Sequence, residues 1–164
     1  DGVPGLALAV EQSERGTMKR PPFHPKESIF SRGMGGEILV FGLIMGLVSF
    51  FVGYWGFVNG RDVETWRTMV FTTLTIAQMG NALAIRSNQD SIFSIGFFSN
   101  MVMVWAILGT FVLQLLLLYV PFLQDIFNTT ALSANDLIIS LAASTVVFIA
   151  VEVWKWIKRT RETA

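Results

Sequence analysis

Residues 38–60 read ILVFGLIMGLVSFFVGYWGFVNG, a continuous stretch without a charged side chain. A helix of about 20 apolar residues is long enough to cross the hydrocarbon core of a bilayer, which is roughly 30 Å thick. Helices of soluble proteins usually keep one polar face, and this stretch has none. It therefore predicts a membrane-spanning helix at about residues 38–58.

Three further uncharged stretches follow along the chain, at residues 68–85, 91–124 and 137–151. The chain has 164 residues, of which 52% are hydrophobic, and its twelve basic and twelve acidic residues lie mainly outside these stretches. We predict three more helices, at about 65–85, 100–120 and 137–157. The predicted fold class is an all-α integral membrane protein with four transmembrane helices.

The positions of the basic residues predict how these helices are oriented. Arg and Lys are enriched in the cytoplasmic segments next to membrane helices. They cluster before the first predicted helix, at Arg86 and in the C-terminal tail, whereas residues 121–136 contain none. We predict a multi-pass protein of the cell membrane with both termini in the cytoplasm.

The first ten residues, DGVPGLALAV, are too short to cross a membrane and allow two interpretations. They could form the cytoplasmic half of a helix whose first half is missing, loosened by Gly2, Pro4 and Gly5, or a frayed terminus with an exposed Asp1. Irregular backbone at membrane depth is tolerated where it lines a cavity. A carboxylate in such a place is a hard oxygen ligand for a cation. The residues alone leave both interpretations open.

Two motifs resemble the calcium-pump branch of the P-type cation-transporting ATPases. The chain reads DGVP at residues 1–4, RPP at 20–22 and PKE at 25–27. This order is similar to the end of the sixth transmembrane helix of the family and the cytoplasmic loop that follows it. Residues 75–83, TIAQMGNAL, are similar to the eighth helix. The resemblance covers essentially the whole chain and points to a bacterial member.

The resemblance implies both an organisation and a function. Residues 1–10 would form the cytoplasmic end of a fifth, truncated helix (the sixth of the family), residues 11–36 a cytoplasmic loop, and residues 37–164 a four-helix membrane module. The implied function is the C-terminal membrane module of an ATP-driven pump that exports Ca²⁺ from a prokaryotic cytoplasm. The alternatives are a pump for Na⁺ or another monovalent cation, and a non-enzymatic four-helix membrane scaffold.

Three residues are candidate cation ligands by this resemblance. Asp1 matches the coordinating aspartate of the family, and Gln78 matches a position at which the sarcoplasmic reticulum pump has a glutamate ligand. Two unit charges about 4 Å apart interact by roughly 4 kcal/mol at an effective dielectric constant of about 20, so a neutral amide weakens a site for a divalent ion. We therefore predict one Ca²⁺ per cycle. Gln78 could equally form a hydrogen bond between helices, and for Asn81, one turn further on, the residues favour such a structural role.

A pump also needs parts that these residues do not contain. The sequence has no Asp-Lys-Thr-Gly-Thr phosphorylation motif and no Gly-rich phosphate loop. The resemblance implies that ATP and Mg²⁺ bind only in domains of the same polypeptide outside these 164 residues. The predicted partners are therefore the lipid bilayer and those upstream helices and cytoplasmic domains. A net charge of zero gives no indication of nucleic-acid binding, and the chain alone is not expected to hydrolyse ATP.

Residues within the predicted helices indicate contacts with neighbouring helices. Gly42, Gly46 and Gly53 lie along one face of the first helix and permit the close approach of another helix. That helix could belong to a second copy of the chain or, following the resemblance, be the fifth helix of the family. Gln114 is predicted to bond a neighbouring helix.

Overall fold

The computed structural model describes residues 2–11, 34–86 and 96–162, which contain six α-helices and no strand. The helices are α1 (Gly2–Ala9), α2 (Met34–Val58), α3 (Val63–Ala84), α4 (Met101–Tyr119), α5 (Pro121–Phe127) and α6 (Ala134–Glu162), with a 3₁₀ turn at Phe97–Ser99. The predicted all-α class is confirmed. Most of the predicted loop at residues 11–36 lies outside the described residues, and its last three residues belong to α2 instead.

Three of these helices are long and apolar enough to cross a membrane: α2, α4 and the Ala134–Ile157 part of α6. The chain is therefore a helical membrane protein. Helix α2 begins four residues before the predicted position 38, and α6 extends beyond 157, because backbone hydrogen bonding continues past the end of an apolar stretch. Helix α3 has 22 residues, which corresponds to about 33 Å. It is therefore long enough to cross a membrane, but it is less apolar than α2, α4 and the Ala134–Ile157 part of α6.

The lower hydropathy of α3 follows from its central position in the bundle. It packs mainly against α2 and α6 and also touches α1 and α4. The buried Thr72 Oγ1 accepts a hydrogen bond from Gln114 Nε2 of α4 at 3.1 Å, and Ser144 Oγ of α6 donates to the Thr73 carbonyl at 3.0 Å. Small polar residues let helices approach and bond each other inside a membrane. The prediction that Gln114 bonds a neighbouring helix is confirmed.

An ion pair with an arginine lies at each end of the bundle, Arg61 at one end and Arg86 at the other. At the Arg61 end, Nη2 of Arg61 lies 2.9 Å from Oδ1 of the buried Asp136. Ser133 Oγ donates to Asp136 Oδ2 at 2.7 Å and accepts from the Asp136 backbone N–H at 3.3 Å, which caps the start of α6. These bonds tie the connection between α2 and α3 to α6. The Arg86 end lies opposite, where α3 ends and α4 begins.

The glycines of α2 face two different surroundings. A Cβ added at Gly53 would lie 2.7 Å from Val70 Cγ2, and one at Gly56 would lie 2.8 Å from Trp66 Cβ. Both glycines therefore face α3 of the same chain. Around Gly42 and Gly46 no other described residue lies within 4 Å of an added Cβ. The three glycines of the predicted face, Gly42, Gly46 and Gly53, therefore do not share one contact. Gly53 packs against α3 within the bundle, whereas Gly42 and Gly46 do not.

Replacing Gly56 by alanine is expected to destabilise the protein by about 2 kcal/mol, because the added methyl group meets the Cβ of Trp66, which cannot move without its helix. The matched control is Gly109→Ala in α4, where an added Cβ meets nothing within 4 Å in the described part of the chain. Alanine favours the helix more than glycine by the same amount in both variants, so this effect cancels in the comparison. Thermal unfolding in detergent measures the difference, and equal stability of the two variants would contradict the proposed close contact.

Candidate functional site

Asp1 lies outside the described residues, but the helix that follows it is well defined. Helix α1 is continuous from Gly2 to Ala9, so the expectation that Gly2, Pro4 and Gly5 loosen this segment is wrong. The physical reason is that the proline ring holds φ at about −65°, a value that an α-helix also uses, so Pro4 is compatible with the helical backbone from Gly2 to Ala9. Asp1 therefore directly precedes a regular helix.

Gln78 lies on a face of α3 that no described residue covers. Its side chain is exposed, and so are Phe71 and Ile85, which lie seven residues before and after it and are 38% and 41% exposed. Hydrocarbon cannot satisfy the hydrogen bonds of an amide. The position of Gln78 therefore suits contact with polar groups of another protein segment better than contact with lipid.

Asn81 lies one turn further along the same helix and is partly buried. Its Oδ1 atom is buried and has no hydrogen-bond partner among the described residues. An unsatisfied buried oxygen costs free energy unless a donor, a water molecule or a cation completes it. Asn81 thus provides an available oxygen close to Gln78 in the helix.

These oxygens do not form a complete cation site by themselves. Within residues 2–11, 34–86 and 96–162 there is no group of three or more acidic, histidine or cysteine residues that could hold a metal ion. Ca²⁺ takes six to eight oxygen ligands, usually including carboxylates. Carboxylates from elsewhere would have to complete any Ca²⁺ site at Gln78 and Asn81.

A polar cluster at the Arg86 end was not anticipated from the sequence. The guanidinium of Arg86 binds both carboxylate oxygens of Glu11, with Nε–Oε2 and Nη2–Oε1 distances of 2.8 Å. Arg86 Nη2 also donates to Ser99 Oγ at 2.6 Å, and Nη1 donates to the Gly96 carbonyl at 3.4 Å. Asn100 Nδ2 donates to Glu11 Oε2 at 2.8 Å. The side chain of Arg86 is fully buried and that of Glu11 is 14% exposed.

The cluster keeps Glu11 ionised. Hydrogen bonds from Arg86 lower the pKa of the Glu11 carboxyl below its ordinary value of 4.5, and the hydrogen bond from Asn100 and the charge of Arg86 act in the same direction. Partial burial opposes this effect but does not outweigh it. At neutral pH, Glu11 and Arg86 therefore form a charged, two-pronged pair.

Asn100 also connects the ends of two helices. Its Nδ2 donates to the carbonyl of Ala7, near the end of α1, at 3.2 Å, and its Oδ1 accepts from the Met103 backbone N–H at 3.0 Å. Each bond satisfies a backbone group that a helix end leaves open. Ala7 also packs against Met103 and Ala106 of α4. The cluster thus holds α1 at a fixed place between α3 and α4.

Local sequence does not indicate this cluster, because its members are far apart in the chain. Glu11 and Arg86 are separated by 75 positions, and Glu11 was assigned to a loop. One signal was present, namely a single arginine at the border of an apolar helix, which needs a partner if it is buried.

Comparison with known proteins supports a common origin with cation pumps. Residues 1–157 match the family described as "Cation transporting ATPase, C-terminus". The chain is 36% identical over 167 residues to the human Calcium-transporting ATPase type 2C member 1. It is 35% identical over 148 residues to the Calcium-transporting ATPase of Bacillus subtilis (strain 168), and 36% identical over 168 residues to Calcium-transporting ATPase 1 of Saccharomyces cerevisiae.

These alignments cover most of the chain but little of the relatives. They include 99% of the chain for the human and yeast proteins and 87% for the Bacillus protein. The chain spans 18%, 17% and 16% of the length of the human, yeast and Bacillus relatives, respectively. It is similar to one region of much larger proteins.

Proposed function

Because the chain belongs to the cation-transporting ATPase family and matches its C-terminal region, we propose that it forms the C-terminal membrane module of an ATP-driven Ca²⁺ pump. One observation carries the proposal: the relatives from human, yeast and Bacillus that align with most of the chain are all named calcium-transporting ATPases. ATP and Mg²⁺ would bind in other domains of the same polypeptide. The pump would export Ca²⁺ from a prokaryotic cytoplasm.

The module would cross the cell membrane four times, with α3 as the least apolar crossing. Helix α3 runs between α2 and α4 and contacts both, so it returns the chain to the side from which α2 began. The Arg86 end would then face the cytoplasm, in keeping with the excess of basic residues in the segments that meet there. Both termini would be cytoplasmic.

Asp1 would provide a carboxylate ligand at the start of α1, and Gln78 and Asn81 would provide neutral oxygens from α3. The exposed position of Gln78 and the unpartnered Oδ1 of Asn81 support this assignment. Further ligands would come from helices outside the chain. With Asp1 as the only charged ligand of the three, one Ca²⁺ would be transported per cycle. Neutral oxygens also suit a monovalent ion such as Na⁺, which is the second candidate.

The test is cation-stimulated ATPase activity of the complete polypeptide that contains these residues, reconstituted in vesicles. Asp1→Asn is expected to abolish stimulation by Ca²⁺, because the ion loses its charged ligand. Gln78→Ala is expected to have little effect. The matched control is Asp125→Asn, which neutralises an exposed carboxylate on α5 and should leave the activity unchanged.

The outcomes separate the alternatives. Stimulation by Na⁺ in place of Ca²⁺ would replace the calcium assignment with the monovalent one. Equal losses in Asp1→Asn and Gln78→Ala would contradict the single-site scheme. Absence of any cation-stimulated ATPase activity in the unmodified protein would refute the pump proposal.

A further inference from the structure

The cluster of Glu11, Arg86 and Asn100 lies at the C-terminal end of α1. Helix α1 is eight residues long, and of these only Pro4 and Ala7 are buried. Leu8 is partly buried against the same core as Ala7, whereas Val3 and Leu6 are 60% and 73% exposed. Within the described residues, packing covers only one side of α1, and the polar cluster adds directional bonds at its C-terminal end.

We propose that Arg86 is a positioning residue for the cation site and that it acts through Glu11 on α1. The inference rests on the proposed function, in which Asp1 at the other end of α1 binds the transported cation. Arg86 itself touches no cation. Arg86 would fix the rotation of α1 about its own axis and the position of α1 along that axis. The Asp1 carboxylate would thereby be positioned relative to the oxygens of α3.

The geometry of the pair explains why an arginine is suited to this task. Two parallel hydrogen bonds of 2.8 Å join Arg86 to Glu11, and two parallel bonds fix direction as well as distance. Arg86 is held in turn by Ser99 and the Gly96 carbonyl, so the guanidinium has little freedom to follow a moving helix. A lysine would make single contacts from a flexible stem.

The described helical segment that joins Gly2, next to Asp1, to the Glu11 end is short enough to transmit this restraint. Eight residues at 1.5 Å each correspond to about 12 Å, and the helix is uninterrupted from Gly2 to Ala9. A change at Glu11 would therefore move the opposite end of α1 nearly as a rigid body. Outer residues that orient metal ligands typically alter metal affinity by 10–100-fold when mutated.

The experiment uses the complete polypeptide in vesicles and compares two properties: the Ca²⁺ concentration for half-maximal ATPase activity, and the maximal rate. Glu11→Gln and Arg86→Lys are chosen because they keep side-chain size and remove the charged two-pronged geometry. Each is expected to raise the half-maximal Ca²⁺ concentration about tenfold while the maximal rate changes less than about twofold. Arg86→Met, which also removes the charge, should show a larger shift.

The matched control is Arg61→Lys, which alters a comparable ion pair at the opposite end of the bundle, away from α1. It should leave the half-maximal Ca²⁺ concentration unchanged. The proposal is overturned if Glu11→Gln and Arg86→Lys also leave that concentration unchanged, or if Arg61→Lys raises it equally. If Asp1→Asn retains full stimulation by Ca²⁺, the proposed cation site fails instead, which is a separate result.

Discussion

Replacing Glu11 by alanine is expected to lower the free energy of unfolding by about 3 kcal/mol. The variant removes the Glu11 carboxylate, which the fully buried guanidinium of Arg86 contacts through two hydrogen bonds. Removing one partner of a buried ion pair costs roughly 3–5 kcal/mol, because the remaining charge stays out of water. The lower figure applies because Glu11 is 14% exposed and Arg86 keeps its bonds to Ser99 and Gly96. Unfolding of the purified protein in mixed micelles measures the change.

Two comparisons show whether the lost stability comes from breaking the Glu11–Arg86 ion pair. The control Glu64→Ala removes an exposed carboxylate at the start of α3 and should cost less than about 1 kcal/mol. The double variant Glu11→Leu with Arg86→Met replaces both charges by apolar groups and should recover much of the stability, as hydrophobic replacements of buried pairs often do. A double variant less stable than Glu11→Ala would contradict this explanation.

The same pair predicts how stability depends on pH. The pKa of Glu11 is lowered in the folded protein, so the unfolded state binds its proton first as the pH falls. The contribution of the pair is therefore complete above the ordinary pKa of 4.5 and is lost as the pH decreases through the lowered value. Below that ordinary value, the unmodified protein should lose stability with a steeper slope than Glu11→Gln.

Apolar runs were sufficient to predict the large helices, and the reason is physical. A helix in lipid must satisfy its own backbone, so length and hydropathy alone indicate it. Helix α3 shows the limit of this rule, because polar residues such as Thr72 and Thr73 face other helices and lower its hydropathy. The short α5 was not predicted, since seven residues show no helical periodicity. It is bounded by Pro121 at its first position and by Asn128, which has a left-handed φ of 50°.

The candidate cation ligands could be predicted from the sequence, whereas the Glu11 cluster could not. Asp1, Gln78 and Asn81 were recognisable because they stand within motifs of the family. The Glu11–Arg86 pair depends on the folded arrangement of α1, α3 and α4, and neither residue occurs in a motif that was singled out. Local sequence does not indicate which charged residues that are far apart in the chain form an ion pair in the folded protein. Burial of Arg86 beside Glu11 therefore emerged only from the structure.

Replacing Arg61 by leucine is expected to destabilise the protein by about 2 kcal/mol. The variant leaves Asp136, which is 2% exposed, without its guanidinium partner. The cost is smaller than that of an entirely buried pair, because the Arg61 side chain is 38% exposed and Ser133 still donates to Asp136. Arg61→Lys should lose less, since it retains the charge. Unfolding in mixed micelles again provides the measurement.

The cap at Ser133 provides the decisive comparison for this end of the bundle. Ser133→Ala alone should cost about 1 kcal/mol, as the loss of a helix cap usually does. Combined with Arg61→Leu, it removes both side-chain partners of Asp136, so the double variant should lose more than the sum of the single losses. Strictly additive losses would mean that Arg61 and Ser133 stabilise the chain independently, and the buried Asp136 would not be the group that links them.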